Sequence, residues 1–274
     1  MNYSKSEEVN SIDEIKNDIA RECLRFLEVD PPIYISTVGD VPASTGLGGS
    51  SAFAVGLLSA LHAFKGDRAS AGQLAEEACH IEIDILGEPI GKQDQYAAAV
   101  GGLNVFCFEP DGRVTVEHQR LSDSKRRELF ESMMMFWTGH QRDAKTVLAA
   151  QQERTDREVA RLRRMRDQVR DLQTLVANGH LDVKTFGRVL HEGWQLKRAL
   201  APGITSDVID QWYDRAVTAG AYGGKLCGAG GGGFLLLVVP PDRQQAVRQV
   251  MAGLAELPVG HEAHGSGVVV AFES

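Results

Sequence analysis

Pro42-Ala43-Ser44-Thr45-Gly46-Leu47-Gly48-Gly49-Ser50-Ser51-Ala52 decides how this chain is read. Before it, Ile33-Tyr34-Ile35-Ser36-Thr37-Val38 is rich in β-formers and predicts a strand. After it, the apolar run from Ser50 to Phe64 is long enough to be a buried helix. A glycine loop that runs from a strand into a helix lets the backbone turn tightly and approach a ligand. The unpaired N–H groups of the helix's first turn then offer an anion site. Ser50 and Ser51 add hydroxyls for a phosphate oxygen or for a Mg²⁺ that bridges phosphates. The same residues would also serve as a tight loop whose serines cap the helix. A Walker P-loop is excluded, because no lysine stands in the segment.

The chain has 29 glycines in 274 residues, where average usage of about 7% gives roughly 19. A second cluster holds many of them: Lys225-Leu226-Cys227-Gly228-Ala229-Gly230-Gly231-Gly232-Gly233. It satisfies Gly-x-Gly-x-x-Gly at Gly228, Gly230 and Gly233, but it runs into the β-type segment Phe234 to Val239. A dinucleotide fingerprint follows a strand and opens a helix, so a Rossmann dehydrogenase is not expected. With Gly223 and Gly224 in front, the cluster reads as a backbone-only loop lying close to a ligand or to the first loop.

The third constellation runs from Glu82 through Lys92-Gln93-Asp94-Gln95-Tyr96 to Gly101-Gly102. Asp94 stands between a helix end and a small-residue segment, where a carboxylate can take a proton from a substrate hydroxyl with Lys92 holding it ionised. The alternative is a helix N-cap for Gln95 to Val100. Glu82, beside the buried face of its helix, reads either as a metal ligand or as a partly exposed charge.

The rest of the chain alternates. Ser11-Ile12-Asp13-Glu14 has capping-box spacing and predicts a helix to about Leu27, ended by Pro31-Pro32. Ser70 starts another, with Leu74, Ala78, Ile81 and Ile85 inward and Gly87 as its stop. Leu103 to Glu109 and Arg113 to Leu121 form a hairpin around Pro110-Asp111-Gly112, and Met133 to Thr138 is a further strand. Asp143 to about Ala177 reads as one helix with Val159, Leu162, Met165, Val169, Leu172 and Val176 on its apolar face. Its arginines alternate with acids, which favours an ion-paired solvent face over an RNA-binding one. Helices at Phe186 to Leu200, Ser206 to Ala219 and Asp242 to Leu254, and strands at Phe234 to Val239 and Gly267 to Phe272, complete the pattern.

Composition narrows the class. With 43% hydrophobic residues and a formal charge of -8, the chain has the make-up of a folded globular protein. Its average field repels nucleic acid and anionic membranes, so any phosphate is held locally. The cysteines Cys23, Cys79, Cys107 and Cys227 form no CxxC pair. Acidic residues follow the N-terminal methionine where a signal peptide carries an apolar stretch, and a cytoplasmic setting is expected.

Taken together and in this order, the three segments resemble the GHMP kinase family, over nearly the whole chain from Tyr3. His80 to Gly102 and Gly223 to Phe234 are most similar to its bacterial D-glycero-D-manno-heptose 7-phosphate kinase branch. The resemblance implies an α+β, two-part fold: a domain like the second domain of ribosomal protein S5 (residues 1–125), then a ferredoxin-like domain (residues 126–274), with the site between them. It places Gly46, Leu47, Gly48, Gly49, Ser50 and Ser51 on the ATP phosphates, Ser50 and Glu82 on Mg²⁺, and Asp94, with Lys92, in catalysis. Lys225, Gly228, Gly230, Gly231 and Gly232 fall on the glycine motif that lies against nucleotide loop and substrate. The implied reaction is phosphorylation of a sugar phosphate by ATP, at the anomeric hydroxyl in the heptose branch. Two departures are present. Gly49 stands where the family usually has serine, with Ser51 as the compensating hydroxyl. The family's first motif, an apolar-Arg-Ile-Ser-Phe-Gly-Gly-Gly-type run, does not occur. The N-terminal domain is therefore expected to lack its first strands, with a sheet edge left open to oligomer formation. The other reading is an impaired relative that binds nucleotide and transfers no phosphate.

Overall fold

The computed structural model describes residues 6–42, 45–140 and 144–269. They form two compact units that interleave along the chain. The first unit takes 6–42, 48–102 and 262–269, and the second takes 45–47 and 103–261.

The first unit is built on helices α1 (Asp18–Phe26), α2 (Gly49–Phe64), α3 (Ala71–Cys79) and α4 (Gln93–Val100). Its core is Ala20, Cys23, Leu24, Ala54, Val55, Leu58, Leu61, Leu74, Ala75, Ala78, Ile81 and Ala99. α1 starts later than the capping-box spacing predicts. Ser11 makes no side-chain cap over the short 3-10 turn Ile12–Glu14, and Asn17 instead accepts from the Ala20 N–H at 3.0 Å.

Two other expectations change here. Ile33 to Val38 runs extended but makes no strand beyond an isolated bridge at Ser36, and Tyr34 and Val38 are 75% and 96% exposed. β-propensity becomes a strand only along a ladder of several pairs, and among the described residues around it bridging is confined to single positions, Ser6 and Ser36. The expected strand at Gly267 to Phe272 is likewise absent over residues 267–269, and its remainder lies outside the described residues. The segment is instead tied to the end of α4: Gly102 N donates to Glu262 O at 2.8 Å and Ser266 N to Ala98 O at 2.9 Å.

α3 does not continue as an α-helix. His80–Ile85 is π-helical, and the extra residue per turn rotates the following side chains. Ile81 stays inward and Glu82 becomes 1% exposed, but Ile85, expected inward, is 44% exposed.

The second unit opens with the hairpin β1 (Asn104–Phe108) and β2 (Val114–His118), in register Phe108 to Val114 around the predicted turn. The charged segment after it is helix α5 (Asp123–Glu131), capped by Ser122. Strands β3 (Met133–Trp137), β4 (Gly223–Leu226), β5 (Phe234–Val238) and β6 (Ala255–Leu257) form an antiparallel sheet in the order β4-β5-β3-β6. The helices of this unit are α6 (Ala144–Gln152), α7 (Val159–Ala177), α8 (Val183–Arg198), α9 (Asp207–Thr218) and α10 (Gln244–Val250). Phe136, Leu235 and Leu237 of the sheet pack with Trp194, Ile204, Ile209, Tyr213 and Val247 in one apolar core.

Gly223, Gly224 and Lys225, expected in an open loop, are strand residues paired with Val238, Leu237 and Leu236. The helix expected from Asp143 to Ala177 is broken by a 3-10 turn, Thr155–Arg157, and Asp143 itself lies outside the described residues. Val159 and Val169 are exposed, and Gln168 is the buried side chain of α7, donating to Glu192 of α8 at 3.1 Å. Four arginines of α7 are ion-paired as expected: Arg161 with Glu158, Arg164 with Glu192, and Arg166 and Arg170 with Asp167. No helix among the described residues is long and apolar enough to cross a membrane.

Candidate active site

α2 begins at Gly48, which holds the N-cap position at φ 68° and contributes no capping side chain. The first intrahelical bond, Ala52 N to Gly48 O at 2.9 Å, leaves the N–H groups of Gly49, Ser50 and Ser51 without helical acceptors. With the helix dipole behind them they form a place suited to an anion. Gly49 and Ser50 are exposed and Ser51 is buried, so of the two hydroxyls it is that of Ser50 that stands at the open end.

Asp94 sits against this helix start. A Cβ on Gly48 would lie 3.1 Å from Asp94 Cγ and 3.4 Å from its Oδ2. The carboxylate therefore borders the space that a side chain at the N-cap glycine would fill. Asp94 is the second residue of α4 and not its N-cap, a position held by Lys92, which makes no side-chain cap. The capping alternative for Asp94 is thereby removed. Lys92 is half-buried, and its positive field reaches the Cys79 thiol.

Glu82 and Gln95 form a buried pair behind these residues. Gln95 Nε2 donates to Glu82 Oε2 at 2.6 Å, and Gln95 Oε1 is buried with no hydrogen-bond partner. The carboxylate fixes the amide's orientation, because only the NH₂ side can donate to it. The π-turn that places Glu82 here has no signal in the sequence, and Gln95 carries none beyond its place next to Asp94. Burial raises the nearby thiols: Cys23 is pushed up to about 12, helped by Glu82, Glu77 and Glu22, and Cys79 to about 12.

The second glycine cluster lies in the other unit, together with residues 45–47 of the first loop. A Cβ on Gly228 (φ 69°) would come within 2.6 Å of Gly46 Cα, and one on Gly233 within 2.4 Å of Thr45 O. Only glycine permits two backbones this close. The sequence reading put this cluster beside a ligand or beside the first loop, and contact with the first loop is what is seen. Gly230 is pressed on Ile204 and Gly232 on His140. Gly231 donates to Ile204 O at 2.8 Å, and Thr138 Oγ1 donates to Gly233 O at 2.7 Å. Lys197 of α8 donates from Nζ to the Gly228 carbonyl. The Cys227 thiol is raised by burial, against the fields of Lys225 and Lys197, which lower it.

Residues 13–102 match the model of the GHMP kinases N terminal domain, and residues 169–255 match that of the GHMP kinases C terminal. The chain belongs to the GHMP kinase family. Among curated relatives, this GHMP kinase chain is 31% identical over 197 residues to a D-glycero-alpha-D-manno-heptose 7-phosphate kinase of Campylobacter jejuni. It is 25% identical over 223 residues to a galactokinase of Pyrococcus furiosus. These matches cover 72% and 70% of this chain but only 58% and 60% of the relatives. Among solved structures, a D-glycero-D-manno-heptose 1-phosphate kinase from Bacteroides thetaiotaomicron superposes with a TM-score of 0.75 at 25% identity. That superposition covers 97% of this chain and 80% of the other. The two-domain GHMP kinase fold, mixed in helix and sheet, is thus established.

Proposed function

We propose that this chain transfers a phosphoryl group from ATP to a sugar phosphate, D-glycero-D-manno-heptose 7-phosphate, at its anomeric hydroxyl, giving the 1,7-bisphosphate. The closeness of Asp94 to Gly48 carries this reading. It puts a carboxylate at the mouth of an uncapped helix start, so that a proton acceptor and a phosphate-binding backbone share one place. The resemblance to a heptose 7-phosphate kinase supports the choice of sugar. The structural relative carries the phosphate at another position in its name, and our reading commits to the 7-phosphate as acceptor. It includes a cytoplasmic setting and a family-domain division near residue 125.

In this mechanism the N–H groups of Gly49 to Ser51 hold the donor's phosphates, and Gly46 to Gly48 shape the approach. Asp94 orients the sugar hydroxyl and takes its proton as the oxygen attacks. Lys92 keeps the Asp94 carboxylate ionised, and the glycine motif with Lys225 borders the substrate. The oxygen donors present fit a Mg²⁺. Gln95 Oε1 is a buried acceptor without a donor next to the Glu82 carboxylate. Ser50 and Glu82 would hold the ion, and it would supply neutralisation of charge on the transferred group.

The test is phosphorus NMR of the chain with ATP and heptose 7-phosphate. A new anomeric phosphate signal is expected. Asp94→Asn should slow its appearance by about 10²- to 10⁴-fold, the usual range for a lost general base, and leave nucleotide binding in place. Bound nucleotide with no anomeric phosphate above the Asp94→Asn level would sink the kinase reading and leave a nucleotide-binding relative.

A further inference from the structure

The glycine motif leaves consecutive backbone donors open. On its flanks Cys227 N donates to Phe234 O at 2.8 Å, Gly231 N to Ile204 O at 2.8 Å and Gly233 N to His140 O at 2.9 Å. Between them the N–H groups of Gly228, Ala229 and Gly230 meet no protein acceptor among the described residues, although Gly230 is buried. Gly228 is exposed and Ala229 half-buried, while Gly230 is buried; a buried backbone donor is nearly always paired, so an open Gly230 N–H at the end of this run points to a partner from outside the protein. Gly228 (φ 69°) and Gly230 (φ 117°) curve the chain into the kind of concave donor arrangement that receives anions.

Lys197 decides which way one of these donors faces. Its ammonium donates to the Gly228 carbonyl. Across a trans peptide the C=O and the next N–H point in opposite directions. Drawing the Gly228 oxygen toward α8 therefore turns the Ala229 N–H away from α8, to the side free of protein acceptors. Lys225, at the end of β4 and two residues before Cys227, adds a second cation beside the motif.

We infer that Lys197 is a positioning residue that, by holding the Gly228 carbonyl, presents the Ala229 N–H to a phosphoryl group of a bound substrate. The inference rests on the kinase reading above and adds a residue from α8 to it. The phosphoryl group belongs either to the sugar phosphate or to the nucleotide, and the experiment separates the two.

The ¹⁵N-labelled full chain is titrated separately with heptose 7-phosphate and with a non-hydrolysable ATP analogue, following the amides of residues 228–233. The Ala229 and Gly230 amides should shift with one of the two, which identifies the source. In Lys197→Met the Ala229 response should need at least tenfold more of that ligand, and Lys197→Arg should restore most of it. The Gly231 and Gly233 amides, held by Ile204 and His140, report whether the loop stays folded. If methionine disturbs them, Lys197→Gln takes its place. In steady state the KM for the same ligand should rise about tenfold in Lys197→Met, with the other substrate's KM within about twofold. An Ala229 amide that answers neither ligand, or answers equally in wild type and Lys197→Met, overturns the inference. The titrations need no turnover, so a chain that transfers no phosphate yet keeps this response refutes the kinase reading and leaves Lys197 where we place it.

Discussion

Gly48 does two things that no other residue type can do together. It adopts φ 68° at the start of α2, and it lets the Asp94 carboxylate lie where a Cβ would be 3.1 Å from Cγ. Gly48→Ala should therefore cost about 1–2 kcal/mol for the left-handed backbone alone, read as a lower urea midpoint. It should also displace Asp94, read as a lower kcat. An unchanged midpoint and kcat would mean that neither the backbone nor the carboxylate is constrained there. The glycine loops and Asp94 were legible in the sequence, because glycine runs and a carboxylate after a helix stop are local signals. The Glu82 to Gln95 pair was not. Its partners are 13 residues apart, and they meet because a π-turn turns Glu82 inward.

At the scale of elements, caps separate helices whose first turn is closed by a side chain from those that start without one, α2 among them. Asp182 shows the first kind at α8: its Oδ1 accepts from Thr185 N at 2.7 Å, and that bond lowers its pKa. Asp182→Ala should cost about 1 kcal/mol, within the usual range for a lost cap, measured by urea unfolding at neutral pH. The sign with pH follows. The folded pKa lies below the unfolded one, so the contribution is complete above the ordinary carboxylate range and is lost as pH falls through the lowered value. Wild type and variant should then converge in acid. The elements read correctly from the sequence, such as the β1-β2 hairpin and β5, carry their own turn and pattern signals. Those misread depend on partners remote in sequence: Ile33 to Val38 has β-formers but only the single bridge at Ser36, and Gly223 and Gly224, read as loop, become strand because β5 pairs with them.

For the molecule as a whole, burial of ionisable groups in the first unit sets its behaviour at high pH. Cys23, Cys79 and Tyr96 are all pushed up to about 12, chiefly by burial. Between about pH 9 and pH 12 the unfolded chain releases thiol protons that the folded chain keeps. The unfolded state then binds fewer protons, and stability falls as pH rises. Thermal melts from pH 8 to pH 11 should show a steady loss of Tm, smaller in Cys23→Ser than in wild type. A flat profile would show that these groups titrate alike in both states.

The interleaving of the two units has a consequence for inheritance and for protein engineering. Residues 45–47 fill the seat formed by Gly228 and Gly233, while Gly48 onward belongs with α2 and Asp94. Residues 103–261 therefore cannot be exchanged between relatives as a cassette unless three residues far upstream are exchanged with them. Recombination breakpoints at 102 and 261 alone would hand the recipient a mismatched phosphate loop. Chimeras that also carry 45–47 from the donor of 103–261 should be the ones that survive.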